Sequence, residues 1–229
     1  MGNSGCVSYM FDKKGQIIID KIAALSGYEK RFEYDFVNYE KFLEVLDGDT
    51  GVVMIGAHFG NWEIGGQFFG KYAKKINVVM FDAEYQKIKD KLEGVMGEKP
   101  YNVIPVNEDE LSHVFLIKEA LDRKEYVCFQ GDRFVNEKHL LSEVFMGREA
   151  NFPAGPFQIA SRFKVPTVFY FSEKESAYKY SFRFFMADPV KRTKETKPEQ
   201  LLLRQYVKVL ESRLAEHPEQ WFNFFKFWK

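Results

Sequence analysis

Four short apolar runs, Gly51–Gly56, Ile76–Phe81, Tyr101–Pro105 and Tyr126–Gln130, constrain this chain more than any other feature. They read as buried strands, and the stretches between them, Trp62–Tyr72, Tyr85–Met96 and Asp109–Leu121, carry helical periodicity. A helix over Pro156–Phe163, strands over Thr167–Ser172 and Tyr180–Phe185, and a helix over Glu199–Glu216 follow. Strand–helix–strand order repeated in this way predicts an α/β fold, a mostly parallel central sheet flanked by helices on both faces. The first 50 residues read as helices around a short strand. Within them, Ile17, Ile18, Ile22, Ala24 and Leu25 form a helical stripe that Gly27 ends. No repeat, low-complexity run or Gly/Ser/Pro linker divides the 229 residues, which read as a single domain, 1–229.

Composition narrows the function classes. Thirty-three basic residues against 33 acidic ones leave no net charge, so the chain lacks the electrostatic footprint of a nucleic-acid binder. With 45% hydrophobic and 29% charged residues it is not disordered by composition. Two cysteines, Cys6 and Cys128, are too few for a disulfide scaffold and fit a reducing compartment. No stretch reaches the roughly 18–20 apolar residues of a membrane span. The start has no signal-peptide layout, and Cys6 stands where a myristoylation signal needs Ser or Thr. The anomaly is 17% aromatics, with 24 Phe. That surplus fits an apolar ligand, a peripheral membrane contact, or a Phe-rich core.

In open α/β sheets, ligands sit at the carboxyl ends of the strands, which directs attention to the loops there. The first reads Gly56-Ala57-His58-Phe59-Gly60-Asn61-Trp62-Glu63. An apolar strand delivers His58 to its end, and Asn61 suits the cap of the following helix. Glu63, in the first turn, is placed to turn back onto one imidazole nitrogen. A carboxylate on Nδ1 fixes the tautomer and leaves Nε2 free to take a proton from a hydroxyl or amine. Backbone N–H groups at that helix start are candidates for an anion contact. A histidine satisfied locally at a strand end is the plain alternative. The second loop, Gly131-Asp132-Arg133, pairs an acid with a guanidinium suited to a phosphate or an oxyanion, or makes a surface ion pair. Arg148 is a further candidate anion contact. Asn151-Phe152-Pro153-Ala154-Gly155-Pro156 leads into a helix, with Gly155 permitting close backbone approach, either as a phosphate cradle or as a tight turn.

Taken together, His58-Phe59-Gly60-Asn61-Trp62-Glu63, Gly131-Asp132-Arg133, Phe152–Pro156 and Pro218-Glu219-Gln220-Trp221-Phe222 resemble the lipid A late acyltransferases, in the lysophospholipid acyltransferase superfamily. The resemblance runs from about Gly15 to the C-terminus. It implies a glycerolipid acyltransferase-like fold. It implies transfer of a fatty acyl group from an acyl carrier protein or coenzyme A thioester to a hydroxyl or amine of a membrane lipid, such as a lipid A precursor or a lysolipid. No cofactor or metal is implied, the thioester being a co-substrate. By the resemblance, His58 is the general base and Glu63 its orienting partner. Asn61, Asp132, Arg133, Arg148, Phe152 and Gly155 are the expected substrate-binding residues. The expected setting is the cytoplasmic face of the bacterial inner membrane, held peripherally or by an anchor not in this chain. Ala154 replaces the Glu of a Phe-Pro-Glu-Gly block in relatives, and Phe81-Asp82-Ala83 replaces a Tyr-Arg-Pro run of members acting on lipid A.

A thioester is already activated, so the chemistry needs a base, an oxyanion site and a dry acyl channel. Phe68, Phe69 and Tyr72 are expected to line that channel. The aromatic tail Gln220–Lys229 reads either as a helix with a lipid-facing side or as a plug closing the core. Lysines 71, 74, 75, 87, 89 and 91 suit an acidic carrier protein or anionic lipid, and equally a solvated helix face. Rival functions are an esterase or thioesterase using the same pair on water, and a non-catalytic lipid-binding protein of the same fold. Metal-assisted hydrolysis through His58, Glu63 and Asp132 is the weakest, since His113 and His139 lack ligand spacing.

Overall fold

In a computed structural model, which describes residues 4–64, 74–81, 101–107, 111–134, 137–223 and 227–228, seven strands form one sheet. They are β1 (Glu33–Val37), β2 (Val52–Gly56), β3 (Ile76–Phe81), β4 (Asn102–Val106), β5 (Tyr126–Gln130), β8 (Thr167–Lys174) and β9 (Lys179–Met186), ordered β1-β9-β8-β2-β5-β3-β4. Every neighbouring pair is parallel except β8 with β9. β2 is buried at every position, as a strand covered on both faces must be. Its alternate side chains enter two cores. Val53 and Ile55 face α3 (Ser112–Asp122), α4 (Ala154–Phe163) and α5 (Pro198–Glu216), whereas Val52 and Met54 face α2 (Tyr39–Leu46). The α/β fold with covered faces is therefore as expected.

Three expectations change. α1 (Ser4–Ala23) runs on into a wider turn, Ala24–Tyr28, that breaks as expected at Gly27, whose φ of 90° suits glycine, but the stripe divides: Ile17 and Ala24 are buried while Ile18 and Ile22 face outward. Residues 140–153, taken partly as a turn, form an antiparallel hairpin of β6 (Leu140–Phe145) and β7 (Arg148–Pro153). The tail is not a helix in its described part. Trp221 and Trp228 make isolated bridges to Phe59 and Ala150, and Trp221, Phe222 and Phe227 are buried, so the core-closing alternative holds. The helices read over 62–72 and 85–96, and with them Phe68, Phe69 and Tyr72, fall largely outside the described residues.

β2 and β5 set the site. Their register pairs Gly56 with Gln130, the last residues of each, so His58 and Asp132 both leave the sheet two residues beyond the same rung. Glycines keep that edge thin. A Cβ on Gly56 would press on the Tyr170 ring at 2.8 Å, and one on Gly131 on Ile55 at 2.7 Å and Tyr206 at 3.0 Å. Past His58, Gly60 turns with φ 59° against the Ser172 carbonyl, where a Cβ would sit 1.6 Å from the oxygen. Gly60→Ala is therefore expected to cost about 2 kcal/mol or more. Gly15→Ala, in α1 with nothing within 4 Å, should stabilise by about 0.5–1 kcal/mol. Urea denaturation of the two variants checks both signs.

Candidate active site

Asp132 is the centre of the site. Its carboxylate is buried, and it accepts three hydrogen bonds: from His58 Nδ1 at 2.8 Å, from the His58 backbone N–H at 2.9 Å and from the Trp221 indole Nε1–H at 2.9 Å. Burial would raise its pKa. The His58 charge and the bonds from the ring, the indole and the backbone outweigh that, and hold the carboxyl below the ordinary value of 3.8. An ionised Asp132 requires the proton on Nδ1, which leaves the Nε2 lone pair of a neutral ring as the free proton acceptor. The imidazole is 24% exposed and the carboxylate 1%, so an outside molecule reaches the base and not the acid.

A layer of aromatic and polar contacts fixes this couple. The Tyr206 hydroxyl, buried under the loop, donates to the Gly56 carbonyl at 2.9 Å, and the Gly131 N–H donates to the same oxygen. Burial first, and the Asp132 charge second, push the Tyr206 pKa well up, so it stays a neutral donor. Trp221 packs edge-on against Phe145 and Phe227. Gln220 ties the His58 loop to β8: its carbonyl accepts from Gly60, while its side chain both accepts from and donates to the Lys174 backbone at 2.7 and 3.0 Å.

The expected site residues fall at different distances from this couple. Arg133 donates to the Phe222 carbonyl, and the Phe222 N–H donates to the His58 carbonyl at 3.0 Å, so the guanidinium is hung one link from the base. Lys14 of α1 lies within its electrostatic reach, its pKa lowered by burial and then by the Arg133 charge. Asn61 is buried, with its amide donating to the Ile17 carbonyl and its side chain bonded to Tyr180, so it anchors α1. Phe152 is fully buried between Phe145 and Phe227 and stands one aromatic layer behind Trp221. Arg148 is exposed where the hairpin turns, and Gly155 is exposed in the first turn of α4 with no atom within 4 Å of its missing side chain. Glu63 follows in a short 3₁₀ turn, Trp62–Ile64, and its side chain lies outside those described. The Nδ1 contact given to it from sequence is made by Asp132. In the same loop the backbone N–H groups of Gly60 and Asn61 donate to the Gln220 and Ser172 carbonyls, and at the helix start, which sequence offered to an anion, the Ile64 N–H donates to the Asn61 carbonyl.

Sequence reasoning had given no individual role to Trp221, Tyr206 or Gln220, although Gln220 and Trp221 stand in the Pro218–Phe222 block. Buried polar atoms without a partner among the described residues gather around this loop: Gln130 Oε1, Arg133 Nε, Ser172 Oγ and Asn223 Oδ1. Such orphans are uncommon in folded proteins, and a substrate's polar groups are one way to satisfy them. Among the described residues, the donors that converge as metal ligands would are Glu173, Glu175 and His217, but Arg183 and Arg213 already hold Glu173.

A buried acid, a reachable imidazole and a nearby guanidinium thus meet at the carboxyl ends of a mostly parallel sheet, where folds of this class bind their ligands. The family to which the site belongs is shown by the whole sequence. The description of the bacterial lipid A biosynthesis acyltransferases matches residues 7–229, and the chain belongs to that family. It is an acyltransferase acting on lipid. Comparison with curated proteins finds no match.

The lowered Asp132 pKa carries a pH signature. A depressed folded value stabilises the fold above the unfolded value, near 3.8, and that contribution is lost as pH falls through the folded value. Wild type should therefore lose melting temperature on acidification below about pH 4 more steeply than Asp132→Asn. Parallel acid limbs would contradict the ionised couple.

Proposed function

We propose that His58 is the general base that activates a hydroxyl or amine of the lipid acceptor against the thioester of an acyl carrier protein or coenzyme A. The observation that carries this reading is the Nδ1 bond to buried, ionised Asp132, which leaves Nε2 as the free nitrogen of a partly exposed ring. Nε2 takes the acceptor's proton as its oxygen or nitrogen attacks the thioester carbonyl carbon. The tetrahedral oxyanion collapses, the C–S bond breaks, and the departing thiolate takes the proton back from the imidazolium. Asp132 keeps its charge throughout and compensates the imidazolium. Arg133 is the candidate cation for the oxyanion or for an anionic group of either substrate.

In this reading Asp132 does for His58 what sequence proximity assigned to Glu63. His58→Ala should abolish transfer with the fold intact. Asp132→Asn should lower the rate by about 10²–10⁴-fold, the scale of positioned acid–base catalysis, and Glu63→Ala by less. The assay follows label from a radiolabelled acyl thioester into mixed bacterial lipids. Transfer that survives His58→Ala would sink the mechanism, a larger loss in Glu63→Ala would return the orienting role to that residue, and free fatty acid without labelled lipid would make the enzyme a hydrolase.

A further inference from the structure

Ile18, Ile19 and Ile22 are 47%, 65% and 45% exposed on α1, a long helix whose other side is buried through Ile17, Asp20 and Ala24 of its continuation. At 100° per residue, Phe11, Gly15, Ile18, Ile19 and Ile22 share one face roughly 100° wide. Phe11 is 57% exposed, and the space over Gly15 is open to 4 Å. Three large branched apolar side chains held outward on one helix make a patch of the kind that marks an interaction surface.

The patch belongs to a fixed element. Asn61, three residues beyond His58, donates to the Ile17 carbonyl, and Asp20 on the same buried side pairs with Lys174 and accepts from the Tyr180 hydroxyl. α1 is thus clamped beside the site with its isoleucines outward. Its two flanks differ. Lys14 and Lys21 border the stripe on one side, and Asp12 and Gln16 on the other. The Lys14 flank is the one in reach of Arg133, so the positive border runs toward the site.

We propose that the Ile18–Ile19–Ile22 face of α1 seats the protein on an anionic lipid bilayer, with the Lys14–Lys21 border among the headgroups and the His58 site turned to the membrane. The inference rests on the lipid acceptor of the proposed reaction, which resides in such a bilayer. Apolar side chains buried at the acyl boundary beside a lysine border are what an interfacial helix needs. The clamp on Asn61 makes the seating productive, because it sets the membrane plane next to the base.

The test is cosedimentation of the full chain with vesicles of phosphatidylethanolamine, with and without phosphatidylglycerol. Wild type is expected to pellet with the anionic vesicles. Ile18→Asp/Ile22→Asp should bind them at least about ten-fold more weakly, keeping its melting temperature and its transfer to a detergent-dispersed acceptor. If aspartates lower the melting temperature, Ile18→Ser/Ile22→Ser makes the same comparison with a smaller loss. Wild type left in the supernatant, or variants that partition like wild type, would overturn the proposal. So would a wild-type dimer that becomes monomeric in the variants, since the stripe would then belong to a second copy. Pelleting requires no turnover, so vesicle binding through this stripe without acyl transfer would overturn the reading of His58 and leave this one standing.

Discussion

Taking the Asp132 carboxylate out of water carries a large electrostatic penalty, and the site is built around meeting it. The three donors come from two elements far apart in the chain. The His58 ring and backbone come from the loop after β2, and the indole comes from Trp221, 89 residues beyond Asp132. Removing any one leaves a buried charge under-satisfied, so the couple also locks the loop and the tail together. The chemistry follows from the same bonds. An imidazole whose Nδ1 is pinned has one orientation and one free nitrogen, and the ring that carries it is open to the outside where the carboxylate is not.

The aromatic residues serve this arrangement more than the sequence suggested. Phe145, Phe152, Trp221, Phe227 and Trp228 form a cluster of mostly edge-on contacts that holds the tail against the β6–β7 hairpin. Below it, Tyr206 meets Phe152, Phe157 and Phe169 and reaches the Gly56 carbonyl. The largest fully buried side chains of the described residues are all Phe or Tyr. Much of the aromatic surplus is therefore core, placed where it stiffens the acid and the strand end that carries the base.

Strands with strong apolar runs were legible in sequence. Ile76–Phe81 and Tyr126–Gln130 match β3 and β5 residue for residue, because burial on both faces leaves little ambiguity in composition. The hairpin was not, since Leu140–Pro153 mixes exposed and buried positions without a Gly-Asn or Asn-Gly turn, and turns instead at Met146 and Gly147 with positive φ. The outward isoleucines of α1 illustrate another limit. A stripe of apolar residues fixes a face but not what it meets, and here Ile17 rather than Ile18 faces the protein. His58 was found because a histidine at the end of an apolar strand is conspicuous. Its partner was assigned to the nearest acid, Glu63, because sequence shows separation along the chain and not the β2–β5 register that brings Asp132 across 74 residues.

The central claim is that ionised Asp132 dictates the proton position on His58. Nitrogen-15 NMR of the histidine-labelled protein reads it directly, at a pH where the ring is neutral, with His58→Gln assigning the signal. The account predicts a protonated Nδ1 and a bare Nε2 in wild type, and a shift of that tautomer balance in Asp132→Asn. A proton on Nε2 in wild type, or a tautomer indifferent to Asp132→Asn, would contradict it.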